Sequence, residues 1–124
     1  VSRFVKIRTQ LRDVEMVKHA LDDLNVRYEA NKIFIHGWSG KSVEAELVVK
    51  DRGGNFALVR NAEQVLEAQG DDAILQGQSK LLGQISQRYA YHKVLAEASK
   101  AGFSLVEEKH SADQVIRLVV RRWA

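Results

Sequence analysis

The stretch "QRYAYHKVLAEASKAGF", Gln87 to Phe103, holds the densest polar-aromatic cluster in the chain. Arg88, Tyr89, Tyr91, His92 and Lys93 fall within six positions. On a helix, Tyr89, His92 and Ala96 share a face with Ile85, while Arg88, Tyr91 and Lys93 point away to varying degrees. One reading makes Tyr89 a core residue and His92 a hydrogen-bonded margin residue, with Arg88 and Lys93 solvated, as is common for polar-tipped aromatics. The other makes Arg88, Tyr91 and His92 the edge of a pocket that meets a ligand or partner. The last strand-like run carries a second candidate surface. Ile116, Leu118 and Val120 share one face there, while Arg117, Val119, Arg121 and Trp123 share the other. Phe4, Lys6, Arg8 and Gln10 form a similar mixed face near the start. If the two strands pair, one sheet face displays cations beside rings, which can hold phosphates by charge and stack bases.

Other chemistry finds little support. His19, His36, His92 and His110 are scattered singly, without the i, i+4 spacing of a helical metal site, so no metal is expected. Ser39, Ser42 and Ser104 sit in no nucleophile-elbow context, and no catalytic residue is assigned. Gly37-Trp38-Ser39-Gly40-Lys41-Ser42 resembles the end of a phosphate loop, but its glycines are too close together and a strand pattern follows. Without a helix N-terminus the cradle lacks its donors and dipole. No cofactor is expected. The absence of cysteine excludes disulfides, thiolate metal sites and cysteine nucleophiles.

The elements that must position these residues are legible from periodicity. Val5, Ile7, Thr9 and Leu11 alternate with wetter neighbours, a half-buried strand. Asp13 then caps an apolar stripe of Val14, Val17, Leu21 and Leu24, and Asn25 is a left-handed stop. Val26–Ala30 and Lys32–His36 read as two short strands, Val43–Lys50 as a clear one, and 51–55 as a hairpin turn into Phe56–Arg60. Val65 and Leu66 continue the meander. Asp71 or Asp72 caps a long second helix whose first turns are weakened by Gly77 and Gly83, with a break expected before Leu81. Gly102 ends that helix, and strands at Phe103–Glu107 and Val115–Trp123 close the chain. The expected order is β-α-β-β-β-β-α-β-β, a single α+β domain over residues 1–124. A mainly antiparallel sheet would carry two helices on one face, burying Leu21, Leu24, Ile85 and Leu118 together.

Composition sets the outer bounds. A chain of 124 residues with 45% hydrophobic and 28% charged residues is ordinary for one globular domain. The net charge of +3 is mildly basic and leaves nucleic-acid binding open without indicating it. No apolar run approaches a membrane span of roughly 18 residues, so no membrane insertion is expected. The strand-like start leaves no room for a signal peptide, and a cytoplasmic or plastid-stromal setting is expected.

Three stretches together carry a resemblance: "SRFVKIRTQLRD" (2–13), "QRYAYHKVLAEASKAGF" (87–103) and "IRLVVRRW" (116–123). They resemble, in the same order, the hypothetical chloroplast frame thirty-five family, small proteins of cyanobacteria and algal plastids with further bacterial relatives. Two positions depart from its pattern. Arg3 stands where members typically carry histidine, and "EAQGDDAILQGQSK" lacks the usual tryptophans of that segment. The resemblance implies a photosynthetic or related bacterial setting and transfers no catalytic residue. The leading expectation is a non-catalytic binding or adaptor module that docks to a protein complex through Arg88, Tyr91, His92, Arg117, Arg121 and Trp123. The alternatives are RNA or other nucleic-acid binding through the basic face, and an enzyme with a site assembled across Tyr89, His92 and Arg117.

Overall fold

The alternating start forms strand β1 (Phe4–Arg8), and Asp13 caps helix α1 (Val14–Asp23) by accepting the Glu15 N–H at 3.0 Å. Asn25 ends α1 in the left-handed region at φ 55°, with Val26 N–H reaching back to Leu21 O and Asn25 N–H to Asp22 O. That pair of bonds is the usual closure of a helix whose last carbonyls lack partners. Strands β2 (Arg27–Ile35), β3 (Ser42–Lys50), β4 (Phe56–Arg60) and β5 (Leu66–Asp71) follow as an antiparallel meander. The chain then enters helices α2 (Asp72–Gly77) and α3 (Ser79–Lys100), and closes with β6 (Phe103–His110) and β7 (Ile116–Arg122). This is a computed structural model, and it describes residues 3–111 and 115–122.

The architecture is α+β, with a five-stranded antiparallel sheet in the order β1-β5-β4-β3-β2 and a separate two-stranded sheet of β6 and β7. The expected element order holds, with one further short helix. Alternation along the strands decides the core. Leu47, Val49, Phe56, Leu58, Leu66 and Ala68 point to the helices and are buried with Val17, Ala20, Leu21, Leu75 and Ile85. Leu24 packs at the margin of that cluster.

Two readings of the terminal strands are corrected. β1 does not pair with the last strand: its partner is β5, and among the described residues β7 pairs only with β6. The mixed faces of Phe4, Lys6, Arg8 and Gln10 and of Arg117, Val119 and Arg121 therefore lie on different sheets. Leu118 does not join the main core; it is half-buried on the hairpin instead. The physical reason is that β1 satisfies its ladder with β5, whose Gln69 and Ala68 lie opposite Lys6 and Ile7. Nothing in the alternation of either terminal strand specified which edge it would take.

The break in the second helical region falls at Gln78, where the sequence weakens it. Asp71 caps α2, its Oδ2 accepting from Ala73 N–H at 3.1 Å and Ile74 N–H at 3.3 Å. Gln78 is buried and donates from Nε2 to Asp51 Oδ2 at 2.8 Å and to Gly54 O at 3.0 Å. The break is thus fastened to the β3–β4 turn. Gly54 is needed there: its φ is 121°, and a Cβ would stand 2.6 Å from the Ile74 side chain.

The two short strands expected at 26–36 are one strand with a face switch. Ala30 packs with the helix-side core, but Phe34 packs with Val43, Ala45, Val48, Ala57 and Val59 on the opposite face. Asn31, at φ 54°, sits at the switch. Its counterpart on β3 is Glu46, which ion-pairs with Arg60, two residues beyond core Leu58. The distal half of the β2–β3 hairpin therefore folds back as an arm over the face that lacks helices. Its tip reaches β5, although β3 and β4 stand between β2 and β5 in the sheet.

Candidate functional site

The Gln87–Phe103 cluster becomes a brace between α1, α3 and β6. Asp23, at the end of α1, accepts from Arg88 at 2.9 and 3.0 Å and hydrogen-bonds His92 Nε2 at 2.6 Å. Partial burial would raise the Asp23 carboxyl, but hydrogen bonds from His92 and Arg88 outweigh it and hold the group below the usual carboxylate range. The Arg88 guanidinium also lies 4.1 Å from the centre of the Tyr91 ring, and the Tyr91 and His92 rings meet edge-on at 5.2 Å. Tyr91 donates its hydroxyl to Glu108 on β6, which, with partial burial, raises the phenol. That bond and a second from His110 lower Glu108. The chain Asp23–Arg88–Tyr91–Glu108 thus connects α1 to the terminal hairpin.

Tyr89 has a different place from its neighbours. Its hydroxyl accepts the backbone N–H groups of Arg12 and Asp13, each at 3.1 Å, pinning the entrance to α1. The brace brings together Arg88, Tyr91 and His92 with His19, and adds Asp23 and Glu108, which were not singled out from the sequence. It does not bring Arg117, Arg121 and those three residues into one contact set among the described residues. Arg117 and Arg121 lie on the exposed side of β7 with Val119, opposite Lys109, Ser104 and Glu107 of β6. Neither arginine has an ion-pair partner among the described residues. Leu105, Val106, Val115 and Val119 are 37–47% exposed on the same hairpin. Trp123 lies outside the described residues.

The tip of the folded-back arm is the feature that sequence reasoning missed. His36 is 3% exposed, and its Nε2 lies 2.9 Å from Asp71 Oδ1. Its Nδ1 lies 2.7 Å from Ser39 Oγ and also receives the Ser39 backbone N–H at 3.3 Å. A ring nitrogen that receives an amide N–H is an acceptor, so the proton sits on Nε2, facing the carboxylate. Ser39 Oγ itself accepts from Lys41 N–H at 3.1 Å, so its hydroxyl hydrogen is directed to Nδ1. Asp71 is held at both oxygens, by His36 and by the α2 amides. Hydroxyl, imidazole and carboxylate thus form one hydrogen-bonded line. Beside it, Phe34, Ile35, Trp38, Asn55 and Ile74 complete a cleft of about 380 Å3 with His36 and Asp71. Trp38 is 78% exposed at its mouth. The local signal was the His-x-x-Ser spacing alone. Asp71 is 35 residues away from His36 and enters only through the fold-back.

Among the described residues no helix is long and apolar enough to cross a membrane. No group of three or more histidine and acidic side chains there could hold a metal ion. No solved structure matches the chain. It is similar over 99% of its length to uncharacterised ycf35 proteins, at 28% identity to that of Pyropia yezoensis and 27% to that of Guillardia theta. The alignments cover 98% of each of those proteins. The ycf35 protein of Cyanophora paradoxa is 28% identical over the same span. Residues 20–119, from the middle of α1 to the last strand, match the family described as "Protein of unknown function (DUF1257)", and the chain belongs to that family.

Proposed function

We propose that the chain is a docking module for a protein complex, and that the β6–β7 hairpin makes the contact while the adjoining Tyr91–His92 region of α3 braces it. The observation that carries this reading is the hairpin's composition. A two-stranded sheet is marginal by itself in water, yet this one leaves Leu105, Val106, Val115 and Val119 substantially exposed. Arg117 and Arg121 share the exposed side of β7 with Val119 and have no ion-pair partners among the described residues. Apolar side chains flanked by free cations suit a partner surface that is apolar with an acidic rim. Arg88 and Tyr91 support the same hairpin from behind through Glu108. A plastid setting fits a chain whose relatives are algal ycf35 proteins.

The second reading, RNA binding, draws on the same arginines. It is less well supported, because the exposed side of β7 presents valine rather than a ring between Arg117 and Arg121.

The test is affinity purification of the tagged protein from its native cell, with and without nuclease, beside Val119→Asp and the Arg117→Gln/Arg121→Gln pair. A protein partner that survives nuclease and is lost with Val119→Asp, at an unchanged melting temperature, is expected. A partner retained by both variants would overturn the hairpin assignment, and recovery that vanishes with nuclease would favour RNA.

A further inference from the structure

We infer that Ser39, His36 and Asp71 form an acyl-transfer site, with Ser39 as nucleophile toward a short, uncharged ester whose acyl group enters the adjoining cleft. Three independent features converge on this site. The first is geometry: 2.7 Å from Ser39 Oγ to His36 Nδ1 and 2.9 Å from His36 Nε2 to Asp71 Oδ1 are hydrogen-bond distances for proton transfer. The second is polarity. The Ser39 amide and the Lys41 amide leave one direction for the hydroxyl proton, onto Nδ1, with the opposite ring proton on the carboxylate. The ring runs the other way round from the familiar serine hydrolase, whose Nε2 faces the serine, but each group has the same role. The third is setting. His36 and Asp71 are buried, which strengthens their electrostatic coupling, and both line a cleft of about 380 Å3 together with Trp38, the neighbour in sequence of the exposed Ser39.

The cleft is lined by Phe34, Ile35, Trp38 and Ile74 as well as Asn55, so an apolar acyl group fits its walls. In the reaction, Ser39 Oγ bonds to the carbonyl carbon and its proton passes to His36 Nδ1. The Asp71 carboxylate stabilises the resulting imidazolium. The tetrahedral intermediate then expels the alcohol oxygen, which takes the proton from Nδ1. Water attacks the acyl-serine with His36 again accepting the proton, and the carboxylic acid leaves as Ser39 regains its hydrogen. The sum is ester plus water to acid plus alcohol. The backbone N–H groups of Gly37 and Trp38 donate no hydrogen bond among the described residues, so the same turn has two donors available for the developing oxyanion.

The same contacts also fasten the arm to β5, so the test separates a clamp from a nucleophile. The full chain is treated with a fluorophosphonate probe, mapped by mass spectrometry, and assayed with p-nitrophenyl butyrate. Labelling at Ser39 is expected, with ester turnover reduced at least about 100-fold in Ser39→Ala. Ser39→Ala leaves the His36–Asp71 bond in place, so its fold, checked by thermal melting, is expected to persist. His36→Gln, wherever it remains folded, is expected to lose labelling to a similar degree. Absence of label on Ser39, or turnover by Ser39→Ala at the wild-type rate, would overturn the assignment. A folded His36→Gln protein labelled as fast as wild type would do the same.

Discussion

At the scale of single residues, Asp23 carries more consequence than the aromatic cluster that it organises. It receives both Arg88 and His92, so its removal leaves two donors without their carboxylate. Asp23→Asn is expected to lower stability at neutral pH by about 1 kcal/mol, since solvent screening at this half-exposed site limits the effect. The folded-state carboxyl sits below its ordinary range. Its contribution is therefore complete above about pH 4 and is lost as pH falls through the depressed value. Urea midpoints from neutral to acidic pH should show a shallower acid loss for Asp23→Asn than for wild type; parallel curves would refute the linkage. His92→Gln, in contrast, is expected to shift the midpoint modestly and leave partner capture intact. A folded His92→Gln protein that loses its partner would make His92 part of the contact itself. The role of Asp23 was not visible in the sequence, because a carboxylate at a helix end reads as a solvated terminus until α3 is placed against it.

At the scale of elements, the helix stripes and the terminal hairpin differ in what their apolar residues hold together. Leu21 is fully buried beneath α1, and Leu21→Ala is expected to cost about 2–5 kcal/mol. Leu118 is half-buried on β7, so Leu118→Ala is expected to cost only about 1 kcal/mol. Equal denaturant midpoints for the two variants would contradict the separation of the hairpin from the core. Gly54→Ala tests the other seam, where the β3–β4 turn meets α2. The positive φ and the 2.6 Å approach to Ile74 both oppose a Cβ. A loss of about 1–3 kcal/mol is expected from chemical denaturation. The caps of these elements were readable in advance. Asp13, Asn25 and Gly102 each do locally what their side chains or lack of one permit. The face switch at Asn31 was not, because Val43, Ala45, Leu47 and Val49 alternate without interruption in the sequence.

At the scale of the whole molecule, the two candidate surfaces lie on separate sheets and should respond to different perturbations. Single-stranded RNA bound through Arg117 and Arg121 would lose affinity steeply with salt, by a logarithmic slope of roughly 0.7 per phosphate contact. Replacing both arginines with glutamine would flatten that slope by about one to two units. A protein partner held mainly by Val119 and its neighbours would show little of this, since salt screens charge rather than burial. Fluorescence anisotropy with mixed single-stranded RNA at several salt concentrations distinguishes them. The docking reading expects no binding even at low salt. The arm-tip reaction is expected to be insensitive to these hairpin changes, because its three residues come from the β2–β3 arm and β5, whereas β6 and β7 form a separate sheet.

The sequence by itself determined what depends on near neighbours along the chain. Alternation located the strands while splitting β2 in two, the 3-4-3 stripe and Asp13 fixed α1, and the weak run around Gly77 located the helix break. The α+β class followed from their order. Tertiary structure alone decided the partners. β1 and β7 have similar mixed faces, and only the closure of β5 against β1 assigns them to different sheets. The switch at Asn31 and Glu46 turns the hairpin over, and this places His36 and Ser39 against an aspartate from another strand. Local patterns express which face a residue takes within its own element. Which distant element meets that face is set by ladder satisfaction and burial summed over the whole fold, and no short stretch contains that sum.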